Sequence, residues 1–223
     1  TGANLRNVNL SYQTLTNSNL TGANLTGSNL KGANLSETIL SKTLLINADI
    51  TEAIIPIDIL DQVLLCNTRG IDGTISDCNM NAADLSGADL SGADLSGADL
   101  SGANLKGSNL TEANLSMANL SEAELTGALL INADITDAKI PSDILDQALL
   151  CNTRGIDGTV SACDLSGSDL TRANLKGADL RGVDLSNQDL SKSDLNEANL
   201  SGANLTRTNL TQANLLDTNL SDA

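Results

Sequence analysis

The chain has 223 residues, a net charge of -16 and no His, Trp or Phe, with Tyr12 as its one aromatic residue. Without His there is no imidazole for acid-base work, no imidazole metal ligand and no Ser-His-Asp triad, and the charge argues strongly against a basic nucleic-acid-binding surface. A domain of this length normally fills its core with aromatic rings, so this core is built from something else.

The chain opens on Thr1 in mid-pattern, as a mature protein or an excerpt would. From Leu5 to Leu220 every fifth position is apolar except Gly70 and Gly155. Most of these positions are Leu. The others include Ile50, Ile55, Ile75, Met80, Ile135, Ile140 and Val160. Neither a helix, with faces recurring every 3.6 residues, nor a strand, with its period of two, produces this spacing. Two residues before each Leu there is usually a small residue, as at Ala3, Ala23 and Ala33, and Asn or Asp usually lies between them.

The first break in the pattern runs from Leu44 to Cys78, LLINADITEAIIPIDILDQVLLCNTRGIDGTISDC. Its middle reads as a short helix. Pro56 suits a helix start, Asp58 suits the positive end of the helix dipole, and Ile59, Leu60, Val63 and Leu64 share one helical face. Gly70 and Gly73 then mark turns. A continuing coil is the alternative, since Leu60 and Leu65 stay in phase. The most regular stretch follows, GADLSGADLSGADLSGANL from Gly87 to Leu105.

The second break, Leu129 to Cys163, nearly copies the first 85 residues later. Pro141, Asp143, Ile144, Leu145, Ala148 and Leu149 repeat the helix pattern, and Gly155 and Gly158 repeat the turns. The five-residue phase resumes after each break, so any excursion has a net length divisible by five. If 25 residues leave the coil, the 60 remaining between copies place both excursions on one face; if 20 leave, they emerge on adjacent faces. Leu44, Ile46, Leu129 and Ile131 stand at outward positions and would form exposed apolar patches unless the short helices cover them.

Each break carries two cysteines, Cys66 with Cys78 and Cys151 with Cys163. On an uninterrupted coil a step of this length crosses more than two faces, while bonded Cα atoms lie within about 7 Å. Disulfides are the expected reading, and they require the chain to leave and return. Closing such a loop contributes about 3 kcal/mol. Zinc is a weaker reading, with no His and no C-x-x-C pair. Buried free thiols are the third.

The tandem A-(N/D)-L-x-x motif resembles the pentapeptide-repeat family, over nearly the whole chain outside the two breaks. The resemblance implies an all-β fold: a right-handed quadrilateral β-helix in which four pentapeptides make one coil. The chain then reads as a single solenoid over 1–223, with helix or loop insertions at about 54–78 and 139–163. Leu and the small residue point inward, and a narrow tube of this kind leaves little room for aromatic rings. Coils stack at about 4.8 Å, so residues twenty apart lie over one another. Asp84 then meets Asn104, and Asp89, Asp94 and Asp99 meet Asn109, Asn114 and Asn119, which avoids stacked like charges. The alternation fails where Asp164 meets Asp184 and Asp169 meets Asp189.

No phosphate loop or calcium-loop spacing is present, so the expectation is a non-enzyme without cofactor or metal. Two functions remain. One is a structural or protein-interaction scaffold outside the reducing cytosol, in a periplasm or thylakoid lumen, where paired cysteines persist as disulfides. Its expected surface is the two breaks, at Asp61, Arg69 and Asp72 and at Asp146, Arg154 and Asp157, with turn formation and solubility as the competing explanation of those residues. Its protein partner and oligomeric state are not legible, and neither direct nucleic-acid binding nor a membrane span is expected. The other is a cytoplasmic DNA mimic that binds DNA gyrase, which the resemblance and the acidic charge allow. The C-terminal LLDTNLSDA, however, lacks the aromatic end through which such relatives dimerise.

Overall fold

The five-residue period becomes a parallel ladder. In this computed structural model, which describes residues 2–55, 60, 62–161, 163, 165 and 170–223, the residue before each Leu bridges in parallel to the residue twenty positions on. Asn4 bridges to Asn24, Asn24 to Leu44 and Leu44 to Leu64; Asn9 bridges to Asn29, Asn29 to Asp49 and Asp49 to Arg69. Along the regular described coils one bridge per pentapeptide recurs, and the backbone N–H of a central Leu donates to the coil above, as from Leu5 to Asn24 O at 2.8 Å. This is a β-helix, and it meets the backbone's hydrogen-bonding needs without long strands.

The turns explain the two outer positions of the repeat. Leu25 O accepts the N–H of Ser28 at 3.0 Å, closing a turn whose third residue, Gly27, has φ +68°. That is the left-handed region, where a Cβ is strained, hence the many Gly residues at this position. Where the repeat lacks Gly, Asn, Glu or Lys takes the same conformation, as at Asn17, Glu37 and Lys42. The Asn or Asp before each Leu locks the turn from the other side. Its Oδ1 accepts the N–H two residues on, as Asn24 does from Thr26 at 3.0 Å.

The chain forms two compact units. The first comprises Thr1–Asn81 with Ala93–Asp99, and the second Ala82–Gly92 with Leu100–Ala223. In the first, Leu25, Leu30, Leu35, Leu45 and Ile50 form the buried axis and Ala33, Ala48 and Ala53 the wall. In the second, Leu170, Leu175, Leu180, Leu185, Leu190 and Leu195 do the same with Ala178 and Val183. A hydroxyl can replace the wall methyl because the previous coil offers it a carbonyl. Thr43 Oγ1 donates to Leu20 O at 2.9 Å and Thr218 Oγ1 to Leu195 O at 2.7 Å. The expected exclusion of aromatic rings is visible at Tyr12, which sits on a turn and is exposed.

Carboxylates are spaced by amides. Asn104 Nδ2 donates to Asp84 Oδ1 at 3.3 Å and Asn109 Nδ2 to Asp89 Oδ1 at 3.4 Å. The same pairing joins Asn204 to Asp184, Asn209 to Asp189 and Asn214 to Asp194. The expected contacts of Asp164 and Asp169 lie outside the described residues.

The named elements lie in the second unit. Strand β1 (Leu129–Ile131) pairs in parallel with β2 (Leu149–Cys151), Leu129 opposite Leu149. Between them helix α1 (Ser142–Leu145) is a single turn, with Pro141 at its N-cap, Asp143 in its first turn and Ile144 buried. The twenty-residue register therefore runs straight through the helix. In the first unit, Pro56, Asp58 and Ile59 lie outside the described residues, and the register from Leu44 to Leu64 is likewise kept.

Two substitutions test these roles by urea unfolding. Leu185→Ala empties the tube axis and costs about 2–5 kcal/mol. Arg207→Gly, at φ 59°, raises stability by up to about 1 kcal/mol, because it relieves a left-handed residue.

Candidate functional site

Where the ladder departs from its rule, it does so in the same way in both units. After Arg69 the chain does not proceed to the next face. It turns back, and Ile75 pairs antiparallel with Arg69. Gly70 N donates to Thr74 O at 2.7 Å, Gly73 N to Gly70 O at 2.9 Å and Ser76 N to Thr68 O at 2.8 Å. In the second unit Val160 pairs antiparallel with Arg154, and Gly155, Gly158 and Ser161 donate to Thr159, Gly155 and Thr153 at 2.7, 2.9 and 2.8 Å. Two β-hairpins therefore stand where the sequence shows Gly-containing breaks.

The base of each hairpin is built from wall chemistry. Thr68 Oγ1 donates to Leu45 O, and Thr68 N donates to Ser76 Oγ at 3.1 Å. Thr153 repeats both contacts with Leu130 and Ser161. The tip turns at Gly73 (φ +82°) and Gly158 (φ +78°). In the first unit the returning strand rejoins the parallel ladder at Asn79, which bridges to Asp99. Asn67 Nδ2 braces the base through Asp94 O at 3.2 Å.

A disulfide ties each hairpin to the coil it left. Cys66 joins Cys78 with Cα atoms 4.0 Å apart, and Cys151 joins Cys163 at 3.9 Å. Cys66 and Cys151 are fully buried, while Cys78 and Cys163 are half-buried. The outward-position Leu44, Ile46, Leu129 and Ile131 are all buried. In the second unit Leu129 and Ile131 share a cluster with Cys151, and Leu149 and Cys163 pack against it. There the disulfide contributes to covering the apolar column; Ile144 of α1 is not part of that cluster.

The charged residues singled out in the breaks do different work. Asp72 and Asp157 stand at the exposed tips, but each carboxylate turns inward. Asp72 Oδ1 accepts the Thr74 hydroxyl at 2.6 Å and its N–H at 3.0 Å, and Asp157 accepts both from Thr159 at 2.6 and 2.9 Å. These bonds, the hydroxyl foremost, hold both carboxyls below the usual range. Arg69 and Arg154 lie in the ladder at the hairpin base, and Arg154 Nε approaches Asp134 Oδ2 at 3.7 Å. Asp146 is exposed at the C-cap of α1, away from the loop tip, and Asp61 lies outside the described residues. The sequence reading missed the exposed apolar residues of the hairpins, Ile75, Ile156 and Val160. Two of them, Ile75 and Val160, keep the five-residue phase yet face solvent. The Gly at the preceding central position was the signal that the phase no longer meant burial.

Among the described residues no group of three or more His, Cys, Asp or Glu is placed to hold a metal ion, and no helix is long and apolar enough to cross a membrane.

The model of the family "Pentapeptide repeats" matches residues 3–41, 28–55, 78–116, 108–140, 160–187 and 189–223, in eight copies. The chain is a pentapeptide-repeat protein. Membership places it in a non-catalytic structural family. The gaps between matches fall on the stretches containing α1, the two hairpins and their approaches. Among solved structures it is similar to HetL, a pentapeptide-repeat protein involved in heterocyst differentiation regulation from the cyanobacterium Nostoc, at 31% identity over 94% of this chain and 88% of that one, TM-score 0.26. A pentapeptide-repeat protein of the Arabidopsis thaliana thylakoid lumen is 27% identical over 64% of this chain and 72% of that one, TM-score 0.21. QnrB1, a plasmid-mediated fluoroquinolone resistance protein, is 16% identical over 99% of this chain and 87% of that one, TM-score 0.29. Comparison with curated protein sequences returns no match.

The lowered carboxyls of Asp72 and Asp157 give a pH test with a definite sign. A depressed folded pKa means that the hairpin contribution is present above the unfolded value near 3.9 and is lost as pH falls through the folded value. Carboxyl carbon NMR titration will show both midpoints below about 3.9. Thr74→Val and Thr159→Val will return them toward it.

Proposed function

We propose that the chain is a non-enzymatic protein-interaction scaffold, a right-handed quadrilateral β-helix whose working parts are its two insertions, about 54–78 and 139–163. The observation that carries the reading is the hairpin in each unit. The remaining described coils follow the ladder, with Leu buried in the middle of each unit's axis and half-buried or exposed at 5–20 and 205–220, and they carry single exposed apolar residues at Ile39, Ile54 and Met117. The hairpins depart from that rule, are held by a disulfide, and present Ile75, Ile156 and Val160 to solvent. Apolar residues on a tied protrusion suit recognition by another protein. Arg69, Asp72, Arg154 and Asp157 shape the hairpins, and the proposed surface includes the exposed Asp146 at the C-cap of α1 and, by its place in the sequence, Asp61.

The disulfides favour a periplasm or thylakoid lumen over the cytoplasm. The acidic charge supports a second reading, a cytoplasmic DNA mimic that binds DNA gyrase. The likeness to QnrB1, at 16% identity and a TM-score of 0.29, carries no weight for that reading.

Crosslinking in the native compartment separates the two. The scaffold reading predicts a protein crosslinked to the parent chain, reduced about tenfold or more by Ile75→Asp with Val160→Asp, and retained by Met117→Ala, an exposed change on a coil. Equal crosslinking by all three chains would remove the hairpins as the surface. Inhibition of gyrase supercoiling by the purified chain would put the second reading in place of the first.

A further inference from the structure

Resting on the assignment of the hairpins as the binding surface, we propose that each hairpin holds its partner by strand addition. An extended, basic segment of another protein pairs with the outer edge of the returning strand, at Thr74–Ile75–Ser76 and at Thr159–Val160–Ser161.

Three features carry it. First, the edge is open. In an antiparallel pair, alternate residues turn their N–H and C=O toward and away from the facing strand. Gly70 N donates to Thr74 O and Ser76 N to Thr68 O, so Ile75 between them turns both groups outward. Among the described residues neither group has a hydrogen-bond partner. In the second unit Gly155 N donates to Thr159 O and Ser161 N to Thr153 O, and Val160 is left in the same state. Ile75 and Val160 are also exposed.

Second, the edge is unprotected and already in place. Exposed edges are commonly blunted by Lys, Pro or a bulge, whereas here a β-branched residue stands between Thr and Ser. The inner strand is anchored in the ladder, where Arg69 bridges in parallel to Asp49 and Arg154 to Asp134. The returning strand is tied by its disulfide, and in the first unit Cys78 O also accepts Asp99 N at 2.9 Å. A strand fixed in advance loses little freedom when another is added to it.

Third, charge selects a basic segment. The chain carries -16, and Arg69 and Arg154 are the only cations between the paired cysteines. Each lies in the ladder beside an aspartate, and Arg154 Nε is 3.7 Å from Asp134 Oδ2. Asp77 is exposed two residues beyond Ile75. A second copy of this chain would bring equal negative charge to the edge. A partner residue opposite Ile75 or Val160 exchanges both main-chain bonds with it, and Lys or Arg beside that residue meets the acidic surround.

The probe is a short capped peptide of alternating lysine and valine. Its control is the same peptide N-methylated at every valine, which keeps charge and side chains but blocks main-chain pairing. On the oxidised chain, amide NMR is expected to show saturable shifts at Ile75 and Val160 with the first peptide. Fluorescence anisotropy is expected to give a Kd about tenfold weaker for the methylated peptide. Ile75→Pro with Val160→Pro removes the two outward donors and no bond within either hairpin, and weakens the first peptide by a similar factor. Slow exchange of the Ser76 and Ser161 amides shows that the hairpins of this variant are intact; if they are not, the methylated peptide on the parent chain decides. Equal affinity for both peptides would overturn the proposal, leaving attraction between charges alone. So would shifts confined to the coils, or concentration-dependent shifts at Ile75 and Val160 without peptide, which would put a second copy on the edge. Partner crosslinking lost in the Asp variant but kept in the Pro variant would remove strand addition and leave the hairpin surface. Peptide pairing at the edge, with crosslinking unchanged by the Asp variant, would do the reverse.

Discussion

The constraint on which the rest depends is the twenty-residue register of the parallel ladder. A backbone bridge at each pentapeptide fixes which side chain points inward, and it leaves space for one large and one small apolar group there. The composition follows from that limit. Leu and Ala fill the tube, an aromatic ring is confined to a turn at Tyr12, and several polar wall residues, such as Thr43 and Thr218, place a hydroxyl on a carbonyl of the neighbouring coil. The turn positions follow too, because each corner needs a residue of positive φ and a side-chain oxygen to hold the next N–H.

Against such a frame, a functional feature has to be a local exception that the frame tolerates. The hairpins meet that requirement by exchanging parallel for antiparallel pairing at a single residue, Arg69 or Arg154. Their base keeps the wall threonine and its carbonyl contact, so the coil beneath is undisturbed. The disulfide returns the chain to the point it left. Helix α1 is a smaller exception, since its single turn fits within one coil without changing the register.

Much of this was legible in the sequence because a strict covalent period maps onto space with few alternatives. Leu at every fifth residue, Ala two before it, Asp opposite Asn twenty residues on, and Cys pairs framing a Gly-containing loop each had a direct geometric meaning. Pro141 and Asp143 marked the start of α1, but the helical face expected through Ala148 and Leu149 gives way to β2, because the ladder on Leu129–Ile131 outweighs one turn of helix. The direction of the hairpin strand was not legible. It depends on Thr68 meeting Ser76 and Thr153 meeting Ser161, contacts that no local pattern announces. The tip carboxylates looked like surface charge, yet Asp72 and Asp157 are occupied by Thr74 and Thr159. Ile75 and Val160 looked like core because they kept the phase, and they are exposed because the strand that carries them runs the other way.

The central claim is that two disulfide-tied hairpins interrupt an otherwise self-sufficient coil. Thiol mapping on protein alkylated directly in its native cells tests it most directly. The account predicts linked peptides joining Cys66 to Cys78 and Cys151 to Cys163, with no other pairing. Four free thiols in the native compartment would contradict it, leaving the hairpins without their tie and moving the chain to a reducing environment.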